Sequence, residues 1–265
     1  MYLAVTVGWH LVWTRITNPS GVFARALWVT IYISIVAQIL GIVLGLLAAL
    51  MRTSSFWLFR LISGIYVWLF RGTPVLVQIM IFYLVLPGRS INLFLFQPSV
   101  PIAAGILALG INEGAYMREI IRAGIDSIDR GQMEAAKSLG MRYGMATRRI
   151  VLPQAARVIV PPLGNEFNNM MKTSSLVTII GVYELFTDAQ TFQSASFSTD
   201  VGPFIAVAFW YLVLTSIWSF IQALIERKLA VSEHGDEISL RERAVAIWTE
   251  GGGMVRSAWP WRERA

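Results

Sequence analysis

The sequence predicts an all-α integral membrane protein of about five transmembrane helices, with a helical loop on the cytoplasmic side between the third and the fourth. Three observations carry this reading. Of the 265 residues, 55% are apolar and only 14% charged, against about 25% charged in an ordinary soluble domain. The apolar residues gather into long runs, and about 20 such residues suffice to cross a bilayer as a helix. Lys and Arg are distributed unequally among the segments that join those runs, as membrane insertion demands.

The elements follow in order. Residues 1–20 open with a short apolar stretch that has no basic residue ahead of it and no small-residue cleavage site. It is expected to be an extracytoplasmic, interfacial segment rather than a cleaved signal peptide. A first span covers about residues 26–50, interrupted only by Thr30, Ser34 and Gln38, and ends at Arg52. The chain is apolar again over 56–86, broken by Arg60 and by Arg71-Gly72-Thr73-Pro74. Pro74 lacks a backbone donor and disfavours helical geometry at Thr73, so a break is expected there, with residues 55–70 partly in the interface. The third span, 101–125, carries Asn112, Glu113, Arg118 and Glu119. The fourth, 158–182, carries Glu166 and Lys172, and the fifth, 203–225, stops at Glu226-Arg227-Lys228.

Five spans put the termini on opposite sides. Eighteen of the 22 Lys and Arg residues fall on one side of the bundle, including all those from Arg118 to Arg157 and from Arg227 to Arg264. The positive-inside rule makes the 127–157 loop and the C-terminus cytoplasmic and the N-terminus external. The expected organisation is a transmembrane domain over 21–229 and a cytoplasmic tail over 230–265. Trp248, Trp259 and Trp261 would let that tail lie on the membrane, and a mobile appendage is the other reading. No internal repeat is visible.

Composition also excludes. There is no cysteine, which removes disulfide and thiolate metal sites. The two histidines, His10 and His234, stand at opposite ends of the chain, a poor basis for a metal centre. The net charge of +6 does not point to nucleic acid, because the basic residues mostly flank apolar spans instead of clustering on a soluble face.

Within the 127–157 loop, Asp129 and Gln132 have capping-box spacing, so a helix should start near Arg130. Gly140 can adopt the positive φ that ends it, and a second helix should follow, stopped or kinked by Pro153. Met133, Ala135, Ala136 and Leu139 would give the first helix an apolar face of partly small side chains. Glu134 suits the helix start and is available to a basic partner. These residues alone fit equally a helix that docks into a groove and one that rests on lipid.

The spacing Glu134-Ala135-Ala136, three residues, Gly140, nine residues, Ile150, one residue, Leu152-Pro153 resembles the complete EAA signature of binding-protein-dependent ABC importer permeases. Further stretches resemble the polar amino-acid branch: Arg71-Gly72-Thr73-Pro74-Val75-Leu76-Val77-Gln78, Gly114-Ala115-Tyr116 with Glu119 and Arg122-Ala123-Gly124-Ile125, Leu152-Pro153-Gln154-Ala155, and Asn165-Glu166-Phe167 with Lys172 and Leu176. The similarity covers residues 21–229. Where the branch often has Lys-Asp-Thr-Ser-Leu, this chain has Lys172-Thr173-Ser174-Ser175-Leu176, so no role for an aspartate carries over.

The resemblance implies a type I ABC importer permease fold and an importer of polar amino acids in the bacterial plasma membrane. Glu134, Ala135, Ala136 and Gly140 would belong to a coupling helix seated in a cleft of a cytoplasmic ATPase. It implies as partners an ABC ATPase dimer, a second permease copy or close paralogue, and an extracytoplasmic solute-binding protein docking on outer loops such as 183–202. No phosphate loop of the form G-x-x-x-x-G-K-[ST] occurs in the chain, so ATP and Mg belong to the partner ATPase and no cofactor is expected here.

Ionisable groups inside a bilayer are functional candidates by default. An amino-acid zwitterion needs acceptors for its ammonium, which Glu166 and Glu113 would supply, and donors for its carboxylate, which Asn112, Asn165, Lys172 and Thr173 would supply. A packing or gating role for Glu166 and Lys172 is the alternative. Their six-residue separation points them about 120° apart on a helix, which argues against a direct pair. Two carboxylates favour a neutral polar or basic substrate over an acidic one. An ion-coupled secondary transporter, the rival class, leaves the EAA loop unexplained. No nucleophile, base and orienting group gather as an enzyme would require.

Overall fold

Helices account for every extended element of the structure, a computed structural model that describes residues 7–86, 99–196 and 200–231. The tail beyond 231 with its three tryptophans, the first six residues and Arg89 lie outside the described residues. Clustering of contacts separates residues 1–223 from a second unit, 224–265, whose described part is the last turns of the final helix.

The N-terminal segment contains α1 (Trp9–Thr17). Next comes α2 (Gly21–Thr53), capped by the Ser20 hydroxyl accepting from the Phe23 N–H at 3.2 Å. Its 33 residues make about 50 Å of helix, more than the roughly 30 Å hydrocarbon core needs. The second apolar run is two helices, α3 (Trp57–Gly72) and α4 (Val75–Val85), bent by 107° at the expected break. Thr73 is extended, with φ −122 and ψ 145, as a residue before proline prefers. Carbonyls freed by the break are caught by side chains. Gln78 Nε2 donates to Phe70 O at 2.9 Å and to Thr73 O at 3.1 Å, and Asn112 Nδ2 donates to Phe70 O at 2.8 Å. Irregular backbone inside a membrane persists only when its polar groups are satisfied in this way.

At the centre is α5 (Val100–Asp126), which packs closely on α2 through two small-residue steps, Gly41 with Gly45 and Gly110 with Gly114. A Cβ on Gly41 would stand 2.7 Å from Glu113 Cγ, and one on Gly110 would stand 3.0 Å from Ala37 O. Two membrane helices reach such proximity where a glycine on one leaves room for the side chain or backbone of the other. Around this contact Ile33, Ile79, Ile106, Leu109 and Val177 form the buried core.

The loop expected on the cytoplasmic side contains α6 (Arg130–Ser138) and the single turn α7 (Tyr143–Ala146). Pro153 does not stop the second helix of the loop. A π-helical stretch, Thr147–Val151, leads directly into α8 (Leu152–Thr173), and this widened turn carries the helix through Pro153. The expected fourth span therefore begins earlier than residue 158. It continues from α8 through a 3₁₀ segment, Ser174–Ile180, ended by Gly181 at φ 78. Among the described residues, α2, α5 and α10 (Gly202–Val231) are long and apolar enough to cross a membrane, with the bent α3–α4 pair as a fourth. The polar residues of α8 keep it below that apolar threshold.

The outer loop expected over 183–202 contains α9 (Leu185–Ser196). Here α1 is tied down by an ion pair between Arg15 and Asp188, by Trp210 Nε1 donating to Arg15 O at 3.2 Å, and by Gly8 N–H donating to Asp200 at 2.8 Å. Asp200 also accepts from the Gly202 N–H at 2.8 Å, and these two backbone donors hold its carboxyl below the usual carboxylate range.

Candidate functional site

Proline at position 74 and a polar face on α8 border a cavity of about 450 Å³. The α3–α4 break contributes Thr73, Pro74 and Val75, α5 contributes Leu109, Asn112, Glu113 and Tyr116, and α8 contributes Glu166, Asn169, Met170 and Thr173. The spacing of the α8 residues, i, i+3, i+4 and i+7, puts all four on one helical face.

Two carboxylates face this space. Glu113 is 7% exposed, its stem pressed against Gly41, and its Oε1 has no hydrogen-bond partner. Glu166 is half-buried and accepts from Asn169 Nδ2 at 3.4 Å. No lysine or arginine lines the cavity, so the site attracts cations. The Arg71 guanidinium lies 5.1 Å from the centroid of the Tyr116 ring, outside the lining. A buried carboxylate oxygen without a partner is costly unless something else completes it, and an ammonium or guanidinium group has that chemistry. Among the described residues, no three histidine or acidic side chains converge as metal ligands.

Of the six residues singled out for a zwitterion, Asn112, Glu113, Glu166 and Thr173 lie on this cavity. Asn112 spends its amide nitrogen on Phe70 O and on Gln78 Oε1, the latter at 3.0 Å, so it positions the break. Asn165 and Lys172 are not in the lining. Asn165 accepts from Gln222 Nε2 at 3.3 Å, and Lys172 is exposed with no ion pair among the described residues. Thr73 and Tyr116, absent from that set, belong to the lining. Their signal was their place in the Arg71–Gln78 and Gly114–Tyr116 stretches.

The elbow over residues 130–146 is built from local rules. The Asp129 carboxylate caps α6 by accepting from Gly131 N–H at 3.0 Å, while no reciprocal side-chain bond from Gln132 forms. Gly140 has φ 77. Its N–H donates to Lys137 O at 2.9 Å and that of Met141 to Ala136 O at 3.1 Å, the Schellman closure of a helix. The expected apolar face is divided: Ala136 is buried and Met133 half-buried, whereas Glu134, Ala135 and Leu139 are exposed. Leu139 (83% exposed), Tyr143 and Met145 form an apolar tip around the turn, and Lys137 Nζ lies 5.8 Å from the centre of the Tyr143 ring.

Residues 41–231 match the family described as binding-protein-dependent transport system inner membrane component. The arginine transport system permease protein ArgU of Corynebacterium glutamicum is 38% identical over 235 residues, 85% of this chain and 73% of that protein. The putative glutamine transport system permease protein GlnP of Rickettsia typhi is 38% identical over 205 residues, 77% of this chain and 91% of that protein. The solved structure of an amino acid ABC transporter with histidines superposes with a TM-score of 0.70 at 36% identity, covering 85% of this chain and all of that one.

Proposed function

The chain belongs to the family of binding-protein-dependent transport system inner membrane components, and from that membership we propose that it carries polar amino acids inward through the 450 Å³ cavity in response to ATP hydrolysis on a separate subunit. The observation that carries the reading is Glu113, a buried carboxylate with an uncompleted oxygen on a cavity whose second charge is also negative. Glu113 and Glu166 receive the positive groups of the substrate. Thr173, Tyr116 and Thr73 offer hydroxyl groups to the rest, and the lack of a lining cation favours neutral polar or basic amino acids over acidic ones.

Transport is by alternating access. The EAA elbow, with Glu134, Ala135 and Gly140 at its surface and Ala136 packing it from beneath, docks in a cleft of the partner ATPase, which holds ATP and Mg. The elbow and the C-terminus are cytoplasmic and the N-terminus external, as the Lys and Arg asymmetry favours. Asn165, Asn169 and Lys172 are exposed on the face of α8. Polar groups at membrane depth call for a protein or water-filled surrounding, which supports a second permease subunit enclosing the path. A solute-binding protein delivers the amino acid to the outer face near α9.

Reconstitution with the ATPase and binding protein tests this. Uptake of labelled amino acids should continue with the proton gradient collapsed and stop without ATP; the reverse pattern would identify an ion-coupled carrier. Gly140→Pro cannot reach φ 77 and should leave the complex assembled while abolishing substrate-stimulated ATP hydrolysis. Unchanged stimulation would remove the elbow from the coupling pathway.

A further inference from the structure

Outside the cavity, the corner between α2 and α3 gathers positive charge with no acidic counterpart. Arg52 in the last turn of α2 and Arg60 in the first turn of α3 line a groove of about 290 Å³. Neither has a carboxylate partner among the described residues. Arg60 Nη1 donates to the carbonyls of Ser54 at 3.0 Å and Ser55 at 2.8 Å, which fixes its head group at the corner. The rest of the groove is Leu61, Gly64, Ile65 and Trp68, at i, i+3, i+4 and i+7 along one stripe of α3. Leu61, Ile65 and Trp68 are 46%, 51% and 75% exposed, and a Cβ on Gly64 would meet nothing within 4 Å. The groove is thus a cationic end followed by an open apolar channel about 12 Å long from Arg60 to Trp68.

An inorganic anion would complete the arginines and leave the stripe bare, and a hydrocarbon chain would do the opposite. We propose that this corner binds one anionic phospholipid, its phosphate on Arg52 and Arg60 and an acyl chain lying over Gly64 between Leu61, Ile65 and Trp68. Charge complementarity selects an anionic over a zwitterionic lipid. The proposed orientation puts the corner at the cytoplasmic leaflet, where anionic lipids attract basic side chains. Bound lipid would brace α3, whose far end leads into the Thr73–Pro74 break at the cavity. The inference rests on the membrane orientation proposed above, but lipid retention and ATP-dependent uptake are separate readouts, so one can fail without the other.

The test uses the complete transporter in nanodiscs of phosphatidylcholine with graded phosphatidylglycerol, and native mass spectrometry to count lipids retained per permease chain. The parent should retain phosphatidylglycerol in preference to phosphatidylcholine. Arg52→Gln, which leaves the Arg60 bonds to the corner intact, should weaken retention about fivefold. Gly64→Leu, which fills the channel without changing charge and whose Cβ meets no neighbour within 4 Å, should also lower it. Equal retention of both lipids by the parent, or parent-like retention in both variants, would overturn the proposal. So would a parent complex that retains neither lipid, the result expected if another protein chain covers the groove.

Discussion

Glu113 and Glu184 are both carboxylates buried within a bundle that spans a membrane, and their surroundings are opposite. Glu184 is fully buried and accepts from Thr178 Oγ1, Thr187 N–H and Tyr211 OH, each at 2.8 Å, with Thr187 Oγ1 at 3.2 Å and Thr30 Oγ1 at 3.4 Å. These donors come from α2, the 3₁₀ segment, α9 and α10, so one side chain ties four elements together. Glu113 has an oxygen with no partner and a cavity in front of it. Burial alone therefore does not mark a functional acid in this protein. The state of its hydrogen bonds does: a completed carboxylate holds the fold, and an incomplete one awaits a ligand.

Substitutions at the two acids and their partners test that contrast. The largest effect is expected from Glu184→Ala, which strands several buried donors. It should cost roughly 3 kcal/mol or more of stability, read as a lower melting temperature of the purified complex, with substrate affinity per folded molecule unchanged. Tyr211→Phe removes one charge-assisted bond from the same hub and should cost about 1.5–2 kcal/mol by the same measurement. Glu113→Gln should reverse the pattern. The melting temperature should be held or raised, because an uncompleted charge is gone, while uptake of a basic amino acid falls about tenfold, equivalent to about 1.4 kcal/mol of ligand interaction. Should Glu113→Gln instead melt early and transport normally, the two acids would have the same role and the contrast would be lost. The smallest effect is expected from Glu166→Gln, whose half-buried carboxylate already accepts from Asn169. A few-fold rise in the substrate concentration for half-maximal uptake, about 1 kcal/mol or less, would be its signature. Kinetics identical to the parent would remove Glu166 from the ligand set.

Much of the architecture was legible beforehand. The apolar runs mark α2, α5 and α10, the Thr73–Pro74 step marks the 107° bend, and Asp129 and Gly140 mark the ends of α6. Other features were not legible, for identifiable reasons. Glu184 falls in the segment that hydropathy assigns to an outer loop, beyond a fourth span ending at residue 182, and nothing nearby in sequence announces donors as distant as Thr30 and Tyr211. Pro153 suggests a stop or a kink, yet the π-helical turn just ahead of it carries the helix through. The glycine steps on α2 and α5 are visible as spacings, but each is informative only once the other helix is known to face it.

Hydropathy, proline, capping residues and glycine at positive φ act locally along the chain, so the places where helices begin, break and end, and the form of the 130–146 elbow, are written in neighbouring residues. Which of the buried acids is completed and which opens onto a cavity is settled by packing between helices. That outcome depends on donors brought from helices far apart in the chain, and no spacing within one helix encodes it.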